Sequence, residues 1–244
     1  MDWYQKAFGE DYLKVYSHRN VEEANRLVDF ACKALQLKPG QKVLDLGSGY
    51  GRNAVALARK NVQVYCLDLS PVLIKMAQDL ALENMLPIHC IRADMRKIPA
   101  LQKFDAVVSF FTSFGYFEKE EENQRVLQNV AQALKPDGLF LLDYLNVKHT
   151  LFNLVAKDHR KKSGFQIIQE RSFNQRSERF EKKIMIHEPA SKREYHESVR
   201  AYGVVEMGSL FAEAGLNCIK TFGDYSGKAY SPDSPRLIMI GQKK

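Results

Sequence analysis

The sequence predicts an α/β fold, a mostly parallel sheet with helices on both faces. Three observations carry that prediction. From residue 39 onward short apolar runs alternate with helix-period segments, the order that crossover connections produce. The first apolar run, residues 43–46, leads directly into a glycine-rich turn. Of the 244 residues, 45% are hydrophobic, enough to fill one large core.

Each element follows in order. Val21, Ala24, Leu27, Val28, Ala31 and Leu35 recur at helical spacing, which predicts a helix over 21–36 ended by Pro39-Gly40. Residues 43–46 are a buried strand, 47–51 the turn and 53–60 a helix. A second strand, 62–67, ends at Asp68, and Ser70-Pro71 supplies an N-cap and first-turn proline for a helix reaching residue 84. Strands three and four fall at 88–92 and 104–109. A helix at 119–134 stops at Lys135-Pro136-Asp137-Gly138, before strand five at 139–142.

The pattern then changes. Stretches 165–173, 179–187 and 194–202 have strand character and are joined by short polar connections, which predicts an antiparallel meander. A helix at 205–214 closed by Gly215, and strands at 217–222 and 237–241, return to the main sheet and bring it to seven strands. The expected organisation is one domain, 1–143 and 204–244, with 1–20 as a cap segment and 144–203 as a β insertion forming a lid.

Several classes are disfavoured. No apolar run approaches the roughly 20 residues that span a bilayer, and the first residues lack a secretory pattern. Cys32, Cys66, Cys90 and Cys218 lie far apart with no metal-ligand spacing, so no metal is expected and a reducing cytoplasm is the default location. The net charge of +7 is concentrated: residues 144–203 hold 13 Lys and Arg against 7 Asp and Glu. That segment is either a solvated face or a surface attracting an anionic substrate or partner.

The informative stretch is Asp45-Leu46-Gly47-Ser48-Gly49-Tyr50-Gly51-Arg52-Asn53. Glycines between a strand and a helix permit positive φ and let backbone approach a ligand. Asp68, at the end of the next strand, can accept hydrogen bonds from both hydroxyls of a ribose. Asp94 and Met95 after strand three suit an adenine amino group and ring face. A dinucleotide fingerprint spaces its glycines G-x-G-x-x-G; here the spacing is G-x-G-x-G. Asp45 near the turn disfavours a pyrophosphate and suits an ammonium, which points to S-adenosylmethionine.

These motifs together resemble class I S-adenosylmethionine-dependent methyltransferases over residues 20–143 and 204–244. The resemblance implies a Rossmann-like sheet whose last strand is antiparallel, with Asp45, Gly47, Ser48, Gly49, Gly51 and Asn53 around the methionine portion. It implies Asp68 as the ribose ligand, Leu69 beside the adenine, and Ala93-Asp94-Met95 holding it. Residues 104–110, ending at Phe110, match the fourth-strand motif, 134–138 the turn before strand five, and 236–241 the last strand.

On the acceptor side the sequence is mainly useful for exclusion. Residues 109–117 lack the Asn/Asp-Pro-Pro-Tyr/Phe motif of amino-group methyltransferases acting on adenine, cytosine or glutamine. The run Thr112-Ser113-Phe114-Gly115-Tyr116-Phe117 is similar to small-molecule methyltransferases and makes Tyr116 an acceptor or catalytic candidate, unless it packs the next helix. The aromatic N-terminal segment covers a sheet edge or closes over the cofactor. In the second case Tyr16 and Arg19 reach the cofactor and His18 is a candidate base. Tyr144 and Tyr195 either line the acceptor pocket or belong to the core, and Lys182, Lys183, Lys192 and Arg193 are candidate anion contacts.

The expected activity is methyl transfer to N or O of a small molecule by a monomer or homodimer. An RNA methyltransferase, with the basic insertion holding phosphates, and a non-catalytic cofactor-binding protein are the alternatives.

Overall fold

A computed structural model describes residues 2–17, 19–99 and 103–244; His18 lies outside them. Two short helices, α1 (Trp3–Ala7) and α2 (Tyr12–Val15), precede α3 (Val21–Ala34). The alternating part then runs β1 (Lys42–Leu46), α4 (Arg52–Ala58), β2 (Gln63–Asp68), α5 (Pro71–Glu83), β3 (Ile88–Arg92), β4 (Phe104–Ser109), α6 (Glu120–Ala133) and β5 (Leu134–Leu145). After it come α7 (Val147–Phe152), β6 (Lys157–Lys162), β7 (Phe165–Asn174), β8 (Arg179–Glu188) and β9 (Ser191–Arg200). The chain ends with α8 (Val204–Glu213), β10 (Leu216–Phe222) and β11 (Arg236–Lys243).

The main sheet has seven strands in the order β10-β11-β5-β4-β1-β2-β3. β11 runs antiparallel to both its neighbours and the remaining pairings are parallel. The period-2 alternation of the strands divides the core. Val43, Val64, Ala106 and Val108 meet α3, α4 and α5 on one face. Leu44, Leu46, Val107 and Leu142 meet α6 and α8 on the other. No helix among the described residues is long and apolar enough to cross a membrane.

Strand order reverses between β1 and β4, so the loops leaving their carboxyl ends diverge and open a crevice there, the usual ligand position in such sheets. Ser70 caps α5 as its sequence predicts, accepting from the Leu73 amide at 3.2 Å.

The insertion differs from expectation in two ways. It is a four-stranded antiparallel sheet, β6-β7-β8-β9, with one strand more than the meander predicted. Its last strand ends at Arg200, because Tyr202 leaves the insertion to fill the main core, its hydroxyl donating to Glu120. The inner face of this sheet, Ile167, Ile184 and Ile186, is too small to be a core alone. Val15 and Tyr16 of the N-terminal segment complete it.

Candidate functional site

A cavity of about 550 Å³ lies over the crevice at the carboxyl ends of β1, β2 and β4. The main sheet supplies its floor, the N-terminal segment one wall, and the lid strands β8 and β9 the remainder.

The turn after β1 is shaped by its glycines. Gly47 has φ +72°, and a Cβ there would meet Ser113 Cβ at 2.8 Å. Gly51, φ +84°, is the N-cap of α4, where a Cβ would come within 2.8 Å of the Ala77 Cβ. The amides of Gly47 and Ser48 bond the Leu67 carbonyl at 2.8 and 3.1 Å, fixing the turn against the end of β2. Asp68, one residue further, accepts from the amides of Gly49 and Ser70 at 2.9 Å each. Burial pushes its carboxyl above the ordinary value, opposed by the amides of Ser70 and Gly49.

Asp45 is almost fully buried and its Oδ2 has no hydrogen-bond partner. Burial, then the nearby Asp68 charge, pushes its carboxyl up to about 7, with Arg52 opposing. Ser48 Oγ and Asn53 Oδ1 are likewise buried without a partner. These unsatisfied atoms, with a backbone cradle at Gly47 that a side chain would fill, fit a polar group such as a methionine moiety. Around the far end, Leu69, Ala93, Asp94 and Met95 line the cavity. Burial would raise the Asp94 carboxyl, but the Arg96 side chain and amide, at 2.6 and 2.8 Å, outweigh it and hold it below the ordinary range.

Of the residues expected to touch a cofactor, Tyr16, Arg19, Gly47, Gly49, Asp68, Leu69, Asp94 and Met95 line the cavity. Asp45, Ser48, Gly51 and Asn53 do not line it: Ser48 and Gly51 lie within the turn, and Asp45 and Asn53 are buried at the two elements it joins. Phe110 does not line the cavity: it is buried in the core against α3 and α4. Beyond β4 the chain turns left-handed at Phe111 (φ +55°) and Thr112 (φ +64°), so Phe111, Thr112 and Ser113 face the cavity in its place. Arg19 is stacked between the rings of Tyr16 and Phe111, 4.4 and 4.7 Å from their centroids, and donates to Tyr12 Oη at 3.0 Å. Arg52, which sequence reasoning passed over, holds the adjoining start of α3 through the Asn20 carbonyl and Glu23, both at 2.7 Å.

On the acceptor side Tyr116 lines the cavity with Trp3 and Phe8 packed on it, and burial raises its phenol. Two expected tyrosines do not. Tyr144 points into the main core and donates to the Arg200 carbonyl. Tyr195 donates to Asp11 at 2.8 Å, away from the cavity lining. Among the basic candidates, Lys182 lines the cavity and pairs with Glu197. Lys183 pairs with Glu194, and Arg193 with Asp11 and Glu188, while Lys192 is exposed. Three of these four cations are thus paired with carboxylates, and Glu197 is a lining residue that the sequence did not reveal.

Comparison with known proteins agrees with this geometry. A family profile described as "Methyltransferase domain" matches residues 43–138, the segment from β1 into the first part of β5. The cypemycin N-terminal methyltransferase of Streptomyces sp. is 24% identical over 211 residues, covering 84% of each chain. A solved S-adenosylmethionine-dependent methyltransferase from Clostridium acetobutylicum superposes with a TM-score of 0.81 at 16% identity, over 96% of both chains. The S-adenosylmethionine-bound amino pentose methyltransferase from Micromonospora echinaspora gives a TM-score of 0.69 at 18% identity, over 96% of this chain and 97% of that one. Residues 43–138 thus match a methyltransferase-domain model, and the chain shares the fold of solved S-adenosylmethionine-dependent methyltransferases.

Proposed function

We propose that the protein transfers a methyl group from S-adenosylmethionine to a nitrogen or oxygen of a small-molecule acceptor enclosed under the lid. The observation that carries this reading is the single cavity in which the glycine turn, Asp68, the lid and the N-terminal segment all meet. S-adenosylmethionine supplies the activated methyl group when bound. The chain's own residues hold, align and exclude water, which is most of what an in-line displacement requires.

In this reading Asp68 takes the ribose hydroxyls, and Leu69, Asp94 and Met95 surround the adenine. The turn at Gly47 and Gly49 carries the methionine portion, whose ammonium is stabilised through the turn by the buried Asp45 and whose carboxylate meets Arg19. Residues 1–20 and 144–203 act as cap and lid on the domain formed by 21–143 and 204–244. The amino pentose and peptide N-terminal methyltransferases among its relatives support a small or terminal acceptor group. The pairing of Lys182, Lys183 and Arg193 with carboxylates weighs against their holding phosphates.

Calorimetric titration with S-adenosylhomocysteine beside NAD tests the reading. Binding of the first alone is expected. Binding of NAD in its place overturns it.

A further inference from the structure

The lid strands contribute Lys182, Glu197 and Val199 to the cavity. Lys182 and Glu197 are directly opposite across β8 and β9, with Nζ 3.3 Å from Oε2 and side chains 16% and 14% exposed. Tyr16 donates to Glu197 and accepts from Lys182 at 3.0 Å, so the carboxylate is oriented from two sides. The other lining carboxylates lie at the nucleoside end, where Asp68 takes turn amides and Asp94 takes Arg96. Glu197 faces the opposite part of the cavity.

Aromatic rings surround that part. Trp3, Phe8 and Tyr116 pack mutually with centroids 5.2–5.8 Å apart, and Tyr12 and Tyr16 are 4.8 Å apart. The Tyr16 ring already carries Arg19 and Lys182, 4.4 and 4.6 Å from its centroid, so the rings left to a ligand are those of Trp3, Phe8 and Tyr116. Those rings beside a carboxylate attract an ammonium, and the attraction to the rings survives when N–H donors are replaced by methyl groups.

Resting on the methyltransferase reading above, we propose that the acceptor is a small amine whose nitrogen is bound by Glu197 and this ring wall. In transfer the nitrogen lone pair forms the new C–N bond while the methyl–sulfur bond breaks and its electron pair stays on sulfur. The positive charge passes from sulfur to nitrogen, where Glu197 stabilises it as it arrives. The product leaves as an N-methylammonium that gives its proton to solvent. A hydroxyl acceptor fits worse, because a neutral hydroxyl is a weaker nucleophile than a neutral amine and has to give up its proton to a base during transfer, whereas Glu197 is already held by Lys182 and Tyr16. Lys182 and Tyr16 are positioning residues for Glu197.

The test uses the whole protein saturated with S-adenosylhomocysteine and titrated with choline and with neohexanol, its uncharged tert-butyl isostere. Choline is expected to bind about tenfold more tightly than the alcohol. In Glu197→Gln that preference falls toward one while affinity for S-adenosylhomocysteine stays within about twofold, which also shows that the variant is folded. Equal affinities, binding of neither probe, or an undiminished preference in the variant overturns the proposal. A wild-type protein that fails to take S-adenosylhomocysteine sinks the methyltransferase reading instead, so the two failures are told apart.

Discussion

Asp143, at the end of β5, accepts the backbone N–H of Phe111 at 2.8 Å, while its main-chain carbonyl accepts that of Thr112 at 2.9 Å. One buried aspartate therefore holds the two left-handed residues that swing Phe111 toward Arg19 and the cavity. Arg236 on β11 donates to the same carboxylate at 2.7 Å and to Thr112 Oγ1 at 3.0 Å, and Tyr225 adds a third donor at 2.8 Å. The last strand of the sheet thereby reaches the floor of the site.

Replacing Asp143 with Ala removes the counter-charge of Arg236, whose side chain is 22% exposed, and leaves the Phe111 amide without its acceptor. A loss of about 3–5 kcal/mol is expected in urea unfolding, the usual cost of breaking a buried pair from one side. Asp143→Asn, which keeps the shape and an acceptor oxygen, is expected to lose less.

Removal of the Asp68 carboxylate tests the nucleoside end. Asp68→Ala is expected to weaken S-adenosylhomocysteine binding by roughly 1.5–3 kcal/mol, as lost hydrogen bonds to a charged group do. Calorimetry checks it, and unchanged affinity removes Asp68 from the ribose site.

The fold was legible in the sequence wherever apolar periodicity carried it. β1 to β5, α3 to α6 and the closing strands coincide with their predicted runs to within a few residues, apart from the early start of β5 at Leu134. β6 was not legible, because Lys-Asp-His-Arg-Lys-Lys has no apolar alternation. It is an edge strand paired on one side, where charge keeps other chains away. The backbone side of the site was legible through its glycines and aspartates. Its side-chain walls were not. Phe110 and Phe111 differ by one position, and the left-handed turn that selects between them has no glycine to mark it. Glu197 enters the site through its cross-strand partner Lys182, a register no local pattern reveals. For Tyr144 and Tyr195 the sequence left open which side of the strand faced the pocket.

Asp45 makes stability depend on pH. Its folded carboxyl titrates at about 7, above its ordinary value of 3.8. The contribution is full below the ordinary value and is lost as pH rises through about 7. Asp45→Asn should therefore flatten the pH dependence of unfolding and gain on the order of a few kcal/mol relative to wild type above neutrality. Chemical unfolding at pH 5 and pH 8 reads this out (conditions set at roughly those values to straddle the transition).

Gly47→Ala should destabilise through two separable causes. The left-handed backbone costs about 1–2 kcal/mol for a residue with a Cβ, and contact with Ser113 adds to it. Combining it with Ser113→Gly should recover the contact part alone, measured by urea unfolding of the single and double variants.

The N-terminal segment is tied to the lid by Asp11, which pairs with Arg193 at 2.5 Å and Lys14 at 2.9 Å and accepts from Tyr195 at 2.8 Å. Burial would raise its carboxyl, but these three donors outweigh it and hold it below the ordinary value. Its contribution is therefore present above the ordinary carboxylate range and lost as pH falls below it. Asp11→Asn should speed proteolytic cleavage within residues 2–17 at neutral pH and leave the main domain intact, read by limited proteolysis and mass spectrometry.

The N-terminal segment meets the lid through side-chain contacts between segments far apart in sequence, Tyr16 with Glu197 at the cavity and, beyond its lining, Asp11 with Arg193 and Lys14 with Glu188. No strand of the seven-stranded sheet has to part for these contacts to separate. Parting of these two segments is thus a local opening that breaks a few ion pairs and the packing of Val15 on Ile167, Ile184 and Ile186. Added salt, which weakens partly exposed ion pairs, should quicken exchange of bound nucleoside at concentrations that leave the melting temperature of the sheet where it was.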